Sequence, residues 1–143
     1  MVVGAFLGTG LSTASRLVTE QQAKHKDRIH LSYQVMKEWG GLREERNSAY
    51  ELFVVPYGSA PMPPFSSYQA LDREHMNKVM EFFDRLDLLN QQHLVNEELV
   101  VGYLSQDYQQ WEQDYFSKQR GGLETNPIFA YGFQGPYQWL LKS

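Results

Sequence analysis

The chain has 143 residues, enough for one domain with a single hydrophobic core. Hydrophobic residues make up 42% and charged residues 21%, the balance of an ordinary folded protein, which excludes a disordered chain. There is no Cys, so disulfides, thiolate metal sites and Cys nucleophiles are excluded, and the composition is compatible with a reducing compartment.

The net charge of −4 is unevenly distributed along the chain. Residues 1–50 hold seven basic and five acidic side chains, a balance of +2, and the remainder holds six basic and twelve acidic, a balance of −6. A nucleic-acid binder needs a concentrated basic surface to displace counterions. Nucleic acid is therefore an unlikely partner, and only the basic cluster at 24–28 keeps a regulatory nucleic-acid-associated protein as an alternative.

Residues 1–18 form an apolar N-terminal segment rich in small side chains. Gly4, Gly8 and Ser12 recur every four residues, which puts them on one helix face that a second helix can approach closely. Only 15 residues precede Arg16, fewer than the roughly 20 that span a bilayer. We expect either a docking helix, packed on this domain or on a partner, or a short membrane anchor.

Two helices are predicted next, over 19–38 and 42–55. The first is polar until Ile29, and its basic cluster is typical of either a solvated helix face or a juxtamembrane collar. Gly40-Gly41 then ends it, as residues that tolerate a positive φ commonly do. Because the connection is short, we expect the two helices to be antiparallel neighbours.

A Pro-rich loop at about 56–68 separates these helices from three further helical patterns. We expect Asp72 to cap a helix over 72–90, Asn96 to cap the next one, and Ser105 to cap an aromatic helix that runs to Arg120. Tyr108, Trp111 and Tyr115 supply the apolar face of that last helix.

The C-terminal segment begins at Asn126-Pro127 and is strongly aromatic. Tyr131, Phe133, Tyr137 and Trp139 are expected either to cover the core or to bind another protein, since Tyr and Trp dominate interface hot spots. Together these elements predict an all-α fold, a compact bundle of five to seven helices, with residues 1–18 as a separate segment and 19–143 as one helical domain.

The order of the elements resembles an uncharacterised bacterial family of helical proteins, usually tethered by an N-terminal membrane segment. The resemblance covers roughly residues 25–140 and rests on short motifs: the pair of helices from Lys37 to Phe53, Glu81-Phe82-Phe83, the run Leu94-Val95-Asn96-Glu97-Glu98-Leu99, Trp111, Arg120, Asn126-Pro127 and Trp139. It implies a helical fold and a membrane location, and it implies no activity. The Pro-rich loop and the short apolar segment depart from the family.

The polar residues show no recognisable catalytic, metal or nucleotide motif, so we expect no cofactor and no metal. Arg46 lies on the apolar face of its helix, and we expect it to form a structural link with Glu81 and Asp84 between helices. The leading interpretation is a non-enzymatic accessory subunit, docked on a larger protein assembly or near a membrane on its cytoplasmic side. The alternative is an enzyme with an acid/base site near Glu81, Asp84 and His75.

Overall fold

The computed structural model describes the backbone of residues 2–58, 60–120 and 135–141, and the side chains of those ranges from residue 18 onward. The described chain is all-helical, as predicted, and contains no strand. Its four α-helices are α1 (Val2–Gly41), α2 (Arg43–Phe53), α3 (Ala70–Gln91) and α4 (Glu97–Trp111). A π-helical turn (Glu112–Phe116) and one further α-helical turn (Ser117–Arg120) extend α4, and 3-10 turns lie at Phe65–Ser67 and Gln138–Leu141.

The expected count of five to seven helices is too high for the described residues, because two predicted boundaries do not exist. Residues 2–18 of the first predicted segment and the predicted helix 19–38 belong to one helix, α1, that runs for 40 residues. Ser105 is buried inside α4 and does not begin a new helix. The residue types at the 18/19 boundary and at Ser105 are compatible with a helix end, but they do not require one.

The predicted antiparallel pairing of the first two helices is wrong. Positions of increasing number along α1 and α2 contact positions of increasing number along α4, through the hydrogen-bonded pairs Ser32–Asn96, Trp39–Asp107 and Tyr50–Asp114. The order along α3 is the opposite, because Arg85 pairs with Glu38 and Lys78 with Glu45. α1 and α2 therefore form one bent rod that is parallel to α4 and antiparallel to α3.

The bend at Leu42 is too mild to reverse the chain. Leu42 has φ −89° and ψ 15°, and the helical hydrogen-bond pattern continues across it, from Leu42 N–H to Glu38 O and from Arg46 N–H to Leu42 O. Gly40 and Gly41 do not use the positive φ that glycine allows, and among the described glycines only Gly58 does. α1 ends at Gly41, as predicted, but without a positive φ, and α2 begins at Arg43 after the single intervening residue Leu42.

Aromatic side chains from all three rods fill the core. Trp39 of α1 packs on Phe82 and Phe83 of α3, with ring centroids 4.8 and 4.9 Å away, and Phe83 meets Tyr108 of α4 at 5.0 Å. A second cluster lies beside the Pro-rich loop and consists of Phe53, Phe65, Tyr68 and Tyr115. These contacts explain why the predicted stripe Tyr108–Trp111–Tyr115 is buried.

The capping residues at the start of α3 and α4 were both predicted, and one of the two predictions is wrong. Asn96 caps α4, as predicted, because its Oδ1 accepts the Leu99 N–H at 3.1 Å. α3, however, begins at Ala70 with Gln69 before it, so Asp72 lies within the first turn and does not cap the helix. An acidic residue there still interacts favourably with the helix dipole.

Candidate functional site

The most unusual surface of the molecule is the N-terminal part of α1. It precedes the body, which we define as α1 from residue 29 onward together with α2, α3 and α4. Residues 18–28 are exposed at every position, so this stretch buries no face against the described domain. Its first contact with the body is made by Arg28, whose Nε donates to the carbonyl of His93 at 2.7 Å. The next buried position is Ser32. The exposed stretch therefore buries none of its side chains on the described body, and Arg28 joins it to the turn between α3 and α4.

Ser32 joins the exposed stretch to the body at a single polar junction. Its Oγ donates to the carbonyl of Arg28 at 2.6 Å and accepts the backbone N–H of Asn96 at 2.8 Å. Asn96 in turn caps α4, so one hydroxyl ties the direction of α1 to the start of α4. His93, in the turn between α3 and α4, has a φ of 58°.

Charge is separated between the two parts of the molecule. Residues 1–28 contain four basic and two acidic side chains, a balance of +2, and residues 29–143 contain nine basic and fifteen acidic, a balance of −6. Within the exposed stretch, Lys24, Lys26 and Arg28 outnumber Glu20 and Asp27. The exposed helix is therefore weakly basic, and the rest of the chain is acidic.

The predicted small-residue face of Gly4, Gly8 and Ser12 lies outside the side chains that the structure describes. Its backbone belongs to α1. No helix was found, in the part of the chain whose side chains are described, that is both long and apolar enough to cross a membrane.

The aromatic C-terminal residues divide into two groups. Tyr131 and Phe133 lie outside the described residues. Tyr137 and Trp139 pack against the chain's own body: Tyr137 is 5% exposed and its backbone N–H donates to Tyr108 Oη at 2.8 Å. Its hydroxyl donates to Asp84 at 3.1 Å, and the Trp139 Nε1–H donates to Asp87 at 2.8 Å. Tyr137 therefore offers little surface to a partner.

The structure gives Arg46 and Asp84 partners other than those predicted. The Arg46 guanidinium stacks 4.5 Å from the centre of the Trp39 ring and lies 3.9 Å from Asp107. Asp84 accepts the hydroxyl of Tyr137, and Glu81 lies exposed on α3. Arg46 does join two helices, as expected, but they are α2 and α4. Asp107 was missed because nothing local distinguishes it from the other acids of α4.

A groove of about 390 Å³ runs between α2 and α4 beside Arg46. Its walls are Arg46, Asn47, Tyr50 and Glu51 on α2, Val55 in the turn after it, and Asp107, Gln110 and Trp111 on α4. A hydrogen bond fixes one carboxylate of the groove, since Asp107 accepts the Trp39 Nε1–H at 2.8 Å. The Tyr50 hydroxyl donates to Asp114, which does not line the groove, at 2.8 Å. The bond to Asp114 raises the pKa of Tyr50, because the carboxylate favours the protonated phenol.

The three residues of the alternative acid/base site do not converge. His75 and Asp84 are nine residues apart on α3, which puts them about 180° apart around the helix. Glu81 contributes to a different shallow surface, together with Glu38, Lys78 and Arg85. The geometry that a concerted proton transfer requires is therefore not assembled by these residues.

A buried charged network was not predicted. Glu112 is 8% exposed, forms two parallel hydrogen bonds with the guanidinium of Arg120, and accepts the Tyr108 hydroxyl at 3.1 Å. Burial raises the pKa of Tyr108 above its ordinary value of 10.0, and the neighbouring Glu112 raises it further. The network has a signal in the sequence, since Glu112 lies four residues after Tyr108 on the apolar face.

The network has a structural role. Tyr108 accepts the Tyr137 N–H, so the network ties the C-terminal segment to α4 at the point where the π-helical turn begins.

Within the residues that the structure describes, no three His, Asp or Glu side chains come together in a way that could hold a metal ion. Comparison with protein family models, with curated proteins and with solved structures finds no match for this chain.

Proposed function

We propose that this chain is a non-enzymatic accessory subunit that docks on a larger protein assembly through the exposed N-terminal part of α1. The observation that carries the proposal is the exposure of residues 18–28 on every side of a continuous helix. Most of the stability of helices in proteins comes from packing an apolar face, and residues 18–28 bury no face on the described residues. A partner that covers the stretch would stabilise it.

The body suits the role of a rigid support. The core clusters fix α1 from Val35 to Trp39, and the Ser32 junction sets the direction in which the helix leaves the body. From Val2 to Arg28 the helix is about 40 Å long at 1.5 Å per residue. Its first residues would therefore reach well beyond α3 and α4, either to a protein partner or to a membrane surface on the cytoplasmic side.

No specific observation favours the enzyme alternative, because His75, Glu81 and Asp84 are dispersed around α3. The nucleic-acid alternative has only the basic cluster at 24–28, which also contains Asp27. Docking through α1 gives a role to the exposed residues 18–28, which neither alternative uses as a whole. It is also compatible with the positive balance of residues 1–28 beside an acidic remainder.

Site-directed photocrosslinking in native extract tests the proposal. A photoreactive residue replaces Gln22 in the exposed stretch, and a matched control replaces Gln106, which is exposed on α4. We expect a discrete crosslinked product from position 22 and none from position 106, and we expect the chain to migrate in a particle larger than 16.6 kDa. A chain that migrates as a monomer and gives no product at position 22 refutes the proposal.

A further inference from the structure

The exposed stretch of α1 and the groove between α2 and α4 are complementary in charge. Glu51 and Asp107 place two negative charges in the groove lining, against one positive charge from Arg46, a balance of −1. The Arg46 guanidinium is already engaged, since it stacks on Trp39 and faces Asp107. The exposed stretch carries three basic and two acidic side chains, a balance of +1.

The two surfaces also match in length. The wall formed by α2 and the turn after it extends from Arg46 to Val55, nine rises or about 14 Å at helical spacing. The exposed stretch has ten rises between residues 18 and 28, or about 15 Å. Residues 18–28 would lie along the groove, and α1, which is continuous from Val2 to Gly41, would extend past both of its ends.

The distribution of apolar and charged groups fixes an orientation. Val18, Gln22 and Lys26 recur every four residues and share one face of α1. Val18 is 54% exposed at one end of this face, and Val55 is 62% exposed at one end of the groove. When Val18 contacts Val55, Lys26 lies about 12 Å further along the groove, at the level of Asp107. Glu51 then lies one helical turn from Lys26.

We infer that the groove between α2 and α4 binds the exposed stretch of α1 from a second copy of this chain, antiparallel to α2. The inference rests on the proposed docking function and names the partner. One molecule uses its helix and the next uses its groove, so the contact is heterologous and leaves a free helix and a free groove at the ends of each assembly. Such a contact produces rings or chains of copies.

Sedimentation velocity of the purified full chain over a range of concentrations tests the inference. We expect oligomers of increasing mass at low ionic strength, and their dissociation towards 16.6 kDa at about 0.5 M salt, where charges are screened within a few ångströms. Lys26→Glu and Glu51→Lys should each weaken association about tenfold or more, because each places like charges together. An equimolar mixture of the two variants should restore it, since the carboxylate introduced at position 26 then lies within one helical turn of the ammonium group introduced at position 51.

Two variants serve as matched controls. Lys37→Glu makes the same charge change on an exposed position of α1 within the body, and Glu74→Lys does so on α3. Both should associate like the original chain, and circular dichroism establishes that every variant is folded. Monomers at all concentrations, or controls that weaken association as much as the groove variants, overturn the inference.

Sedimentation of the purified chain and crosslinking in extract together distinguish loss of the second-copy contact from loss of docking. A purified chain that stays monomeric, while position 22 still crosslinks to a different protein in extract, overturns the second-copy inference and leaves docking intact. A product of about twice the mass of one chain, lost with Glu51→Lys, supports both.

Discussion

Ser32→Ala is expected to loosen the junction from which the exposed helix leaves the body. The Ser32 side chain is buried, and its Oγ accepts the Asn96 N–H at 2.8 Å while it donates to the Arg28 carbonyl at 2.6 Å. Its removal leaves the half-buried Asn96 N–H without that acceptor, which costs about 1–3 kcal/mol. The higher helix propensity of Ala offsets about 0.5 kcal/mol of this. We therefore expect a net loss of roughly 1–2 kcal/mol.

Thermal and urea denaturation measure this loss as a change in the free energy of unfolding. For a chain of this size, a loss of 1–2 kcal/mol lowers Tm by roughly 2–8 °C. Ser117→Ala is the matched control, because Ser117 is exposed and its Oγ bonds only within its own helix, at 3.4 Å. That variant should remain within about 0.5 kcal/mol of the original chain. If Ser32→Ala is equally neutral, the junction does not depend on the hydroxyl and the reasoning is wrong.

Three further outcomes are expected from denaturation experiments. Phe83→Ala should lower the free energy of unfolding by about 3–5 kcal/mol, because Phe83 is fully buried against Trp39 and Tyr108; a loss below about 1 kcal/mol contradicts this packing. His93→Gly should raise it by about 0.5–1 kcal/mol, since His93 has a φ of 58° that glycine adopts without strain; a decrease contradicts this. Burial raises the pKa of both Tyr108 and Tyr115, so the folded chain retains protons that the unfolded chain loses above pH 10.0. The free energy of unfolding should therefore fall above that pH, by up to about 1.4 kcal/mol per pH unit for each tyrosine. Urea titrations below and above that pH measure this decrease, which Tyr108→Phe should reduce, and a flat profile refutes it.

Some of the candidate site was visible in the sequence. The apolar periodicity of α3 and α4 predicted which faces are buried, and Asn96 followed by two acids predicted where α4 begins, because both depend on helix geometry and local hydrogen bonding alone. The basic cluster at 24–28 was recognised as a helix surface for the same reason. The predicted partners of Arg46, Glu81 and Asp84, were wrong, and its observed neighbour Asp107 could not be predicted in this way. Periodicity places a residue on a helix face, but it does not say which helix packs against that face.

The sequence by itself determined that this protein is helical, where its apolar faces lie and where α4 is capped, since each of these depends on interactions within a few residues. Only the tertiary structure decided that α1 and α2 form one bent rod, because helical hydrogen bonds continue across Leu42 while the core packs Trp39 on α3 and Phe53 on the Pro-rich loop. It also decided that residues 18–28 remain uncovered. The polar residues before Ile29 already indicated one solvated face, and the structure adds that residues 18–28 are exposed on every side because the body packs on α1 only from Arg28 onward.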